Sequence, residues 1–177
     1  MSQSSRPDRD ALFEDLIREM GAPMNRAATV LLRDPSMAKD VAQEALLRTY
    51  THWSRAQSNP KAYAWVTLIN LCRDQQRRRF RRPQDVTEIS ELPDGASQLS
   101  MADRIVNRLE LERALGLLPR QQREVVVLRY LIGMSVKEAA DVLKIPEGTI
   151  KSATNRALAA LRNTLEDIYQ EVHIHVD

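Results

Sequence analysis

The chain has 177 residues, of which 43% are hydrophobic and 28% are charged, a composition typical of one or two globular domains. It has no apolar run long enough to span a membrane, its polar start differs from a signal peptide, and its single cysteine cannot form an internal disulfide. We therefore expect a cytoplasmic protein without membrane insertion. The net charge of +2 is unevenly spread, because residues 1–82 carry six more bases than acids, which indicates a polyanionic partner.

Two helices are predicted before residue 34. Apolar side chains recur at intervals of three and four residues up to Met20, and we expect Gly21 and Pro23 to end this first helix. A second helix is predicted from Met24 to about Leu32.

Two further helices each begin with a capping residue followed by proline. Asp34 can cap a third helix that runs to about His52. Residues 53–59 are polar and are predicted to form a loop, after which Asn59 and its proline start a fourth helix. This helix runs into six arginines within residues 73–82, and the planar guanidinium of arginine suits phosphate.

The segment that follows the arginines has the opposite charge. Residues 83–103 contain five acids, no base, two prolines and one glycine, without a helical period. This composition predicts an extended linker between two helical modules.

Four helices are predicted near and after the end of the linker. Pro119, Gly133 and Pro146 separate them, and Ser135 with Glu138 forms a capping box. The predicted helices span residues 103–117, 119–133, 135–143 and 147–169. Because no strand-like alternation persists anywhere, the predicted fold is all-α, with two small helical modules.

The last two predicted helices match a helix-turn-helix, whose second helix enters the major groove of DNA. One side of that second helix is apolar, with Ile150, Ala153, Ala157 and Leu161 in one stripe. The opposite side is short, polar and partly cationic, as base and phosphate contacts require. Its members are Gly148, Thr149, Lys151, Ser152, Asn155 and Arg156. The alternative is a plain helical hairpin with a solvated outer face.

Two sets of motifs make the chain resemble the bacterial sigma-70 superfamily, in its compact extracytoplasmic-function (group IV) branch. The last module resembles region 4 of that family over residues 111–162, and the first resembles region 2, including the DNA-contacting helix in INLCRDQQRRR. The matching residues are Asp40, Gln43 and Glu44 for region 2, and Leu118, Pro119, Arg123, Glu124 and the sequence PEGTIKS for region 4.

The resemblance implies a promoter-specificity subunit of RNA polymerase that is not an enzyme. Its parts would be a region 2-like bundle for polymerase and the −10 element, a linker, a region 4-like helix-turn-helix for the −35 element, and a tail. These parts span residues 8–82, 83–103, 104–169 and 170–177. The implied partners are core RNA polymerase (the β′ clamp coiled coil and the β flap), promoter DNA and a separate anti-sigma factor.

A polymerase-binding surface is predicted on the third helix. Asp40, Gln43 and Glu44 are spaced so that a helix stacks them on one face, which suits a basic protein surface better than DNA. With Arg48 they form the predicted polymerase-binding set, whose partner by resemblance is the β′ clamp coiled coil. The alternative is an ordinary solvated helix face.

A −10 binding surface is predicted on the fourth helix and the loop before it, along which single-stranded phosphates could run. By resemblance, the non-template strand is melted there and one base is captured in a pocket. The predicted residues are Trp53, Ser58, Asn59, Asn70, Arg73, Arg77 and Arg78. Trp53 is either a stacking platform or a core residue, whereas Trp65 is expected in the core.

One position departs from the family pattern. Ala153 stands where the family usually carries arginine or another large polar residue, so we expect one contact with the upstream element to be missing. By resemblance, the acidic linker follows positively charged channels of the polymerase and repels the DNA held by its neighbour. Alternatively, its acids only keep a disordered linker soluble.

Two other functions stay open from the sequence. A stand-alone helix-turn-helix repressor would need a dimer interface and a sensor domain, for which the chain has no heptad seam and no spare length. A sigma-like decoy that binds only a regulator protein would not need the arginine block.

No catalytic, metal or cofactor site is expected. Cys72 lies on an apolar helix face and is expected to be a buried core thiol. His173 and His175 are expected to lie in a loose C-terminal tail.

Overall fold

The computed structural model describes residues 6–81 and 110–174, and every element in these ranges is helical, which confirms the predicted all-α fold. The acidic linker, the predicted helix start at residue 103 and His175 lie outside the described residues. The elements are α1 (Arg6–Leu32), α2 (Pro35–Thr51), α3 (Trp53–Ala56), α4 (Pro60–Arg81), α5 (residues 110–117), α6 (Arg120–Val126) continued by a π-helical turn (Val127–Leu131), α7 (Val136–Leu143) and α8 (Glu147–Ile174).

The described helices belong to two compact units. The N-terminal unit contains α1 to α4, and the C-terminal unit contains α5, α6, the π-helical turn and α8 together with the start of α7. In the N-terminal unit α1, α2 and α4 pack on one another around Met24, Leu31 and Leu68, which are almost fully buried. In the part of the chain described here, no helix is both long and apolar enough to cross a lipid bilayer.

Helix α1 continues without a break through Gly21 and Pro23, so the predicted stop after Met20 was wrong. Proline lacks the amide N–H of a helical residue and costs about 3 kcal/mol in a helix interior. Met20, Met24 and Ala27 are all buried on the two sides of this proline. Packing of this face outweighs the local cost, because most helical stability in proteins comes from tertiary contacts.

The two caps predicted beside prolines are confirmed. Asp34 Oδ1 accepts a hydrogen bond from the Met37 amide at 3.0 Å, at the start of α2. Asn59 Oδ1 accepts one from the Ala62 amide, also at 3.0 Å, at the start of α4. Each cap satisfies an amide that the first helical turn leaves without an intrahelical partner.

The loop predicted for residues 53–59 was wrong in its first half, because Trp53–Ala56 forms the short helix α3. Trp53 packs edge-on against Phe13 of α1, with ring centroids 6.4 Å apart. Phe13 also packs against Tyr50 of α2 at 4.8 Å, and the Arg9 guanidinium lies 4.3 Å from the Tyr50 ring centre. This aromatic cluster joins α3 to the first two helices.

Two side chains of α4 hold the junction between α1 and α2. Gln76 Nε2 donates to the Leu31 carbonyl at 2.8 Å, and Arg79 Nη1 donates to the Leu32 carbonyl at 2.9 Å. Arg79 Nη2 also donates to Asp34 Oδ2 at 2.9 Å. These bonds satisfy carbonyls at the end of α1, so Arg79 has a structural role within the arginine block.

In the C-terminal unit, Arg123 of α6 binds three carbonyls at and just after the end of α5. Its Nε donates to Leu115 at 2.8 Å, and its Nη2 donates to Gly116 at 2.7 Å and to Leu118 at 2.9 Å. Pro119 precedes the first residue of α6, so Arg123 lies one helical turn further on. The Leu-Pro-x-x-x-Arg motif therefore joins two helices.

Replacing this arginine should destabilise the C-terminal unit. We expect Arg123→Lys to lower the free energy of unfolding by about 1–2 kcal/mol, because lysine keeps the charge but lacks the planar fork that reaches three carbonyls. Urea denaturation followed by circular dichroism measures the change. Arg113→Lys, at an exposed position of α5, is the control and should change stability by less than about 0.5 kcal/mol. Equal changes in the two variants would exclude the carbonyl-binding role.

The π-helical turn after α6 ends at Leu131, two residues before Gly133, where the sequence predicted the helix to end. Gly133 has a φ angle of +81°, in the left-handed region, and an added Cβ would meet nothing within 4 Å. The Met134 amide donates to the Leu128 carbonyl at 2.9 Å and closes the turn. Glycine is therefore favoured at this position by backbone conformation and not by lack of space.

The two glycines at positions 21 and 133 should respond to alanine with opposite signs. Gly133→Ala is expected to destabilise the protein by about 1 kcal/mol, because alanine is strained at positive φ. Gly21→Ala is expected to stabilise it by about 0.5–1 kcal/mol, because Gly21 is inside α1 with open space at its Cβ. Thermal unfolding of both variants measures this. A shift of the midpoint in the same direction for both would contradict the backbone explanation.

Candidate nucleic-acid and protein interfaces

Helix α2 presents an exposed face that brings the predicted polymerase-binding residues together. Asp40 and Gln43 are exposed, Glu44 is half-buried, and Arg48 Nε donates to Glu44 Oε1 at 2.6 Å. Leu47 lies among them, one turn after Gln43 and Glu44, and is 54% exposed. Leu47 was not predicted from the sequence, although its helical spacing from Asp40 and Glu44 places it on the same face.

A polar groove of about 540 Å³, here named the α2–α4 groove, separates this face from α4. Asp40, Glu44 and Arg48 of α2 line it, and Asp74 and Arg78 of α4 line it as well. The groove therefore lies between the predicted polymerase-binding and DNA-binding residues and carries charges of both signs.

Helix α4 presents the predicted DNA-binding residues on accessible positions. Asn70, Arg77 and Arg78 are exposed, and Arg73 is half-buried. Arg77 Nη2 donates to Asp74 Oδ1, one turn earlier on the same helix. Both members of this ion pair are accessible to solvent, with 65% of the Arg77 side chain and 49% of the Asp74 side chain exposed.

The loop before α4 holds two of the three predicted residues at the surface. Ser58 and Asn59 are exposed, but Trp53 is only 7% exposed. Its Nε1–H is buried without a hydrogen-bond acceptor among the described residues. The structure thus contradicts a role for Trp53 as an exposed stacking platform and favours the core alternative, which Trp65, also 7% exposed, shares as expected.

An apolar groove of about 600 Å³ opens beside this loop and is here named the α1–α4 groove. Its apolar lining is Leu12, Leu16, Trp53 and Pro60, and its polar lining is Asp15, Glu19, Gln57, Ser58 and Lys61. Its volume is in the usual range of pockets for small ligands. An exposed apolar wall beside a hydroxyl suits a planar ring that also forms hydrogen bonds.

The predicted capping box at the start of α7 is confirmed. The Ser135 amide donates to Glu138 Oε2 at 2.7 Å, and the Glu138 amide donates to Ser135 Oγ at 3.1 Å. Lys144 adopts a φ angle of +58° in the turn that follows α7, and α8 begins at Glu147. The two helices and the tight turn of the predicted helix-turn-helix are thus present.

The capping box should make stability depend on pH. The hydrogen bonds from the Ser135 side chain and then its backbone lower the pKa of the Glu138 carboxyl from its ordinary value of 4.5. Because the folded-state pKa is lowered, the stabilisation is present above 4.5 and is lost as the pH falls through the lowered value. The stability difference between the wild type and Glu138→Gln should therefore shrink between about pH 6 and about pH 3, measured by urea denaturation. A difference that stays constant across this range would contradict the expectation.

The second helix of the pair, α8, separates its predicted polar and apolar faces. All members of the polar face are exposed except Thr149, which is half-buried. Arg156 Nε donates to the Ser152 carbonyl at 3.3 Å, and Ser152 Oγ donates to the Thr149 carbonyl at 3.1 Å. The exposed members are Gly148, Lys151, Ser152, Asn155 and Arg156.

The apolar face of α8 is buried, as predicted, and includes Ala153. Ile150 and Ala157 are fully buried, Leu161 is 8% exposed and Ala153 is 1% exposed. A side chain at position 153 therefore faces the interior and cannot reach DNA in this conformation. The burial of Ala153 on the core side of α8 therefore does not support the expectation that it leaves a DNA contact missing.

The C-terminal unit also exposes large apolar side chains that were not predicted from the sequence. Leu117 at the end of α5 is 66% exposed, and Tyr130 and Leu131 of the π-helical turn are 58% and 40% exposed. The exposure of Tyr130 and Leu131 could not be predicted from an α-helical period, because the π-helical turn changes the direction of its side chains.

Two residues outside these surfaces test the remaining expectations. Cys72 is buried with 2% exposure, so it is the core thiol that was expected. His173 lies within α8, which continues to Ile174, so the expected loose tail does not begin at residue 170.

Comparison with known proteins gives matches along most of the chain. The family model "Sigma-70 region 2" matches residues 16–82, and "Sigma-70, region 4" matches residues 108–161. The chain is 36% identical over 154 residues to the RNA polymerase sigma-E factor of Streptomyces avermitilis, which covers 87% of this chain and 85% of that protein. It is 33% identical over 162 residues to the ECF RNA polymerase sigma factor SigL of Mycobacterium tuberculosis, with coverage of 89% and 91%.

Solved structures with the same fold include two complexes. The sigma factor RpoE from Bartonella quintana, crystallised with the anti-sigma factor NepR, is similar with a TM-score of 0.64 and 28% identity, over 86% of this chain and 98% of that chain. CnrH, solved in complex with the cytosolic domain of CnrY, has a TM-score of 0.65 and 23% identity, over 89% and 90% of the two chains. The likeness to CnrH concerns the fold alone.

Proposed function

Because the chain belongs to the sigma-70 family of RNA polymerase sigma factors, in its extracytoplasmic-function type, we propose that α2, α4 and α8 bind core polymerase, the −10 element and the −35 element, respectively. The protein is a sigma factor that binds core RNA polymerase and promoter DNA and directs the initiation of transcription. Sigma factors are initiation factors and not enzymes. We assign no catalytic, metal or cofactor site to this chain and place its activity in the cytoplasm, with core polymerase.

The proposal depends mainly on the N-terminal unit, which exposes an acidic surface on α2 and a basic surface on α4. The face of α2 combines Asp40, Gln43, Glu44 and Arg48 around the apolar Leu47. An apolar centre framed by polar groups is typical of protein interfaces. Its acids suit a basic surface, which by family membership is the β′ clamp coiled coil.

The −10 element is held by α4 and the loop before it. The guanidinium groups along α4 follow one strand of phosphates, and Ser58 and Asn59 stand at the opposite end of the same helix. An unstacked base enters the α1–α4 groove beside Ser58, where apolar side chains replace the stacking energy lost on melting. Trp53 serves as a buried wall of this groove and not as an open platform.

The −35 element is read by the exposed face of α8. Lys151 and Arg156 supply phosphate contacts, and Ser152 and Asn155 supply short hydrogen-bonding groups for base edges in the major groove. Arg156 is held by the Ser152 carbonyl, which limits the orientations of its guanidinium.

We propose two further protein partners, one for the C-terminal unit and one for the whole chain. Leu117, Tyr130 and Leu131 are exposed apolar side chains of this unit, and we propose that they contact the β flap of the polymerase. RpoE was solved with an anti-sigma factor, and we propose that a separate anti-sigma protein also restrains this chain.

We propose four parts for the chain, with the boundaries predicted from the sequence. Residues 8–82 bind polymerase and the −10 element, 83–103 form the linker, 104–169 bind the −35 element, and 170–177 form the C-terminal end. Linking the two DNA-binding modules raises their effective concentration, so that two weak contacts act as one adequate contact.

Transcription from genomic DNA tests the function and reveals the promoter. Sheared genomic DNA is transcribed by core RNA polymerase with and without this protein, and the 5′ ends of the transcripts are sequenced. The expected result is a new set of start sites that share two upstream motifs. In a variant with Lys151→Ala and Arg156→Ala, most of the new transcripts should be lost. Those that remain should no longer depend on the upstream motif.

The opposite outcome is equally informative. If no new transcripts form although the protein binds DNA in the absence of polymerase, the sigma function is wrong and the stand-alone repressor becomes the better description. If the protein yields no start sites and binds neither DNA nor core polymerase, the sigma-like decoy that binds only a regulator protein becomes the better description.

A further inference from the structure

The loop assigned to the −10 element is attached to two buried residues of the short helix α3. The Gln57 amide donates to the Trp53 carbonyl at 2.8 Å. The Asn59 amide donates to the Ala56 carbonyl at 3.0 Å. Trp53 and Ala56 are 7% and 1% exposed, so both acceptors belong to residues that are packed inside the protein. Ser58 lies between these two hydrogen bonds, and its position therefore depends on how α3 is packed.

The packing of α3 includes an aromatic ring from α1. Phe13 packs edge-on against Trp53 with ring centroids 6.4 Å apart, and it packs against Tyr50 of α2 at 4.8 Å. Aromatic pairs attract one another beyond the apolar area that they bury, and they prefer a limited set of orientations. The ring of Phe13 therefore fixes the orientation of Trp53 as well as its depth.

The turn of α1 that precedes Phe13 is tied to α2 through the same tyrosine. Arg9 Nη2 donates to the Tyr50 hydroxyl at 2.7 Å, and this hydroxyl donates to Asp10 Oδ1 at 2.7 Å. The Arg9 guanidinium also lies 4.3 Å from the centre of the Tyr50 ring, where the face of the ring attracts a cation. The region 2 family model begins at residue 16, so Arg9, Asp10 and Phe13 all lie before the part of the chain that it matches.

We propose that Phe13 is a positioning residue for −10 recognition, which acts through Trp53 to place Ser58 and Asn59 against the bases of the single strand. This inference rests on the proposed function and deepens it, because it adds a residue of α1 that acts on base specificity without contacting DNA. When the loop is misplaced, the exposed arginines of α4 still bind phosphate. Affinity for any single strand is then largely kept, whereas discrimination between bases is lost.

Base discrimination is measured on the holoenzyme with two fluorescein-labelled single strands, followed by anisotropy. One carries the downstream motif found by the transcription experiment, and the other has the same bases in scrambled order. The ratio of the two affinities should fall about fivefold or more in Phe13→Leu, because a misplaced base contact is lost as it is at a mismatched base. Phe13→Tyr keeps the aromatic ring and should restore the ratio to within about twofold of the wild type.

Two further variants of α1 complete the set. Ile17→Ala is the matched control, since Ile17 is an apolar residue that is 43% exposed and outside the lining of the α1–α4 groove, and it should change the ratio less than about twofold. Arg9→Gln removes the cation above Tyr50 and should lower the ratio about two- to fivefold. Circular dichroism verifies folding, and Arg9→Gln decides the question if Phe13→Leu is unfolded at the assay temperature.

The fluorescence of Trp53 reports its environment directly. Trp53 and Trp65 are the two tryptophans of the chain, so Trp53 is observed alone in the background of Trp65→Phe. Phe13→Leu should shift the emission to longer wavelength and make it easier to quench with acrylamide, because the indole becomes more accessible to water. Ile17→Ala should leave both properties unchanged.

Two results would overturn the positioning role. One is an equal loss of affinity for both single strands in Phe13→Leu, and the other is an unchanged ratio beside a shifted Trp53 emission. If the wild-type holoenzyme does not distinguish the two strands, the −10 assignment in the proposed function fails. Equal discrimination by the wild type, Phe13→Leu and Arg9→Gln refutes only the role of Phe13.

Discussion

The double substitution Asp40→Lys and Glu44→Lys is expected to weaken binding to core RNA polymerase at least about 100-fold and to abolish promoter-specific transcription. Both side chains lie on the accessible face of α2 proposed to bind polymerase, and Arg48 Nε donates to Glu44 Oε1 at 2.6 Å. Lysine at both positions sets like charges against a basic partner surface, which costs several kcal/mol at a protein interface. Competition with a labelled wild-type protein for a limiting amount of core polymerase measures the affinity.

The control for this prediction is a charge reversal elsewhere on the same unit. Glu14→Lys on α1 is exposed and lies outside the α2 face, so polymerase affinity should stay within about threefold of the wild type. Thermal unfolding should confirm that both variants remain folded. Retention of polymerase binding by the double variant would show that α2 contacts solvent and not the clamp.

The second large effect is expected at the other surface of the unit. Removing two exposed guanidinium groups with Arg77→Ala and Arg78→Ala should weaken binding of the single-stranded −10 oligonucleotide about 100-fold, since each charge-assisted hydrogen bond contributes about 1.5 kcal/mol. The slope of log affinity against log salt should become shallower by about 1.4, because each lost phosphate contact removes about 0.7 for single strands. Anisotropy titrations of the holoenzyme at several salt concentrations measure both quantities.

Arg18 of α1 is the matched control for these arginines. It donates to Asp15 at 2.5 Å with the same i, i+3 spacing as the pair of Arg77 and Asp74. Arg18→Ala should leave the salt slope unchanged. An affinity loss with an unchanged slope in the double variant would mean that α4 arginines act on protein structure and not on phosphate.

The parts of the fold that sequence could predict are those decided by a few neighbouring residues. The caps at Asp34 and Asn59 and the capping box at Ser135 satisfy amides within three residues, so their signals are local. The errors arose where distant contacts dominate. Pro23 is tolerated inside α1 because its neighbours are buried, and α3 forms where Trp53 packs into the aromatic cluster.

In the candidate surfaces, too, features set by helical spacing were predictable and features set by distant contacts were not. Helical spacing alone gathers Asp40, Gln43 and Glu44 on one face and separates the two sides of α8, so both were predictable. Spacing does not reveal that Trp53 is buried. Nor does it reveal that Arg79 binds the carbonyl of Leu32, which lies 47 residues earlier in the chain. Both facts depend on how α1, α3 and α4 meet in three dimensions.

The continuity of α4 limits the insertions and deletions that the chain can accept. From the cap at Asn59 to Arg77 the backbone is one unbroken helix, with a rise of about 1.5 Å per residue and a turn of about 100°. Adding a single residue within it would swing Arg77 a quarter-turn or more away from the loop and pull Arg79 off the end of α1. Side chains on this helix can therefore vary in kind, whereas its length between the loop and the arginines is fixed.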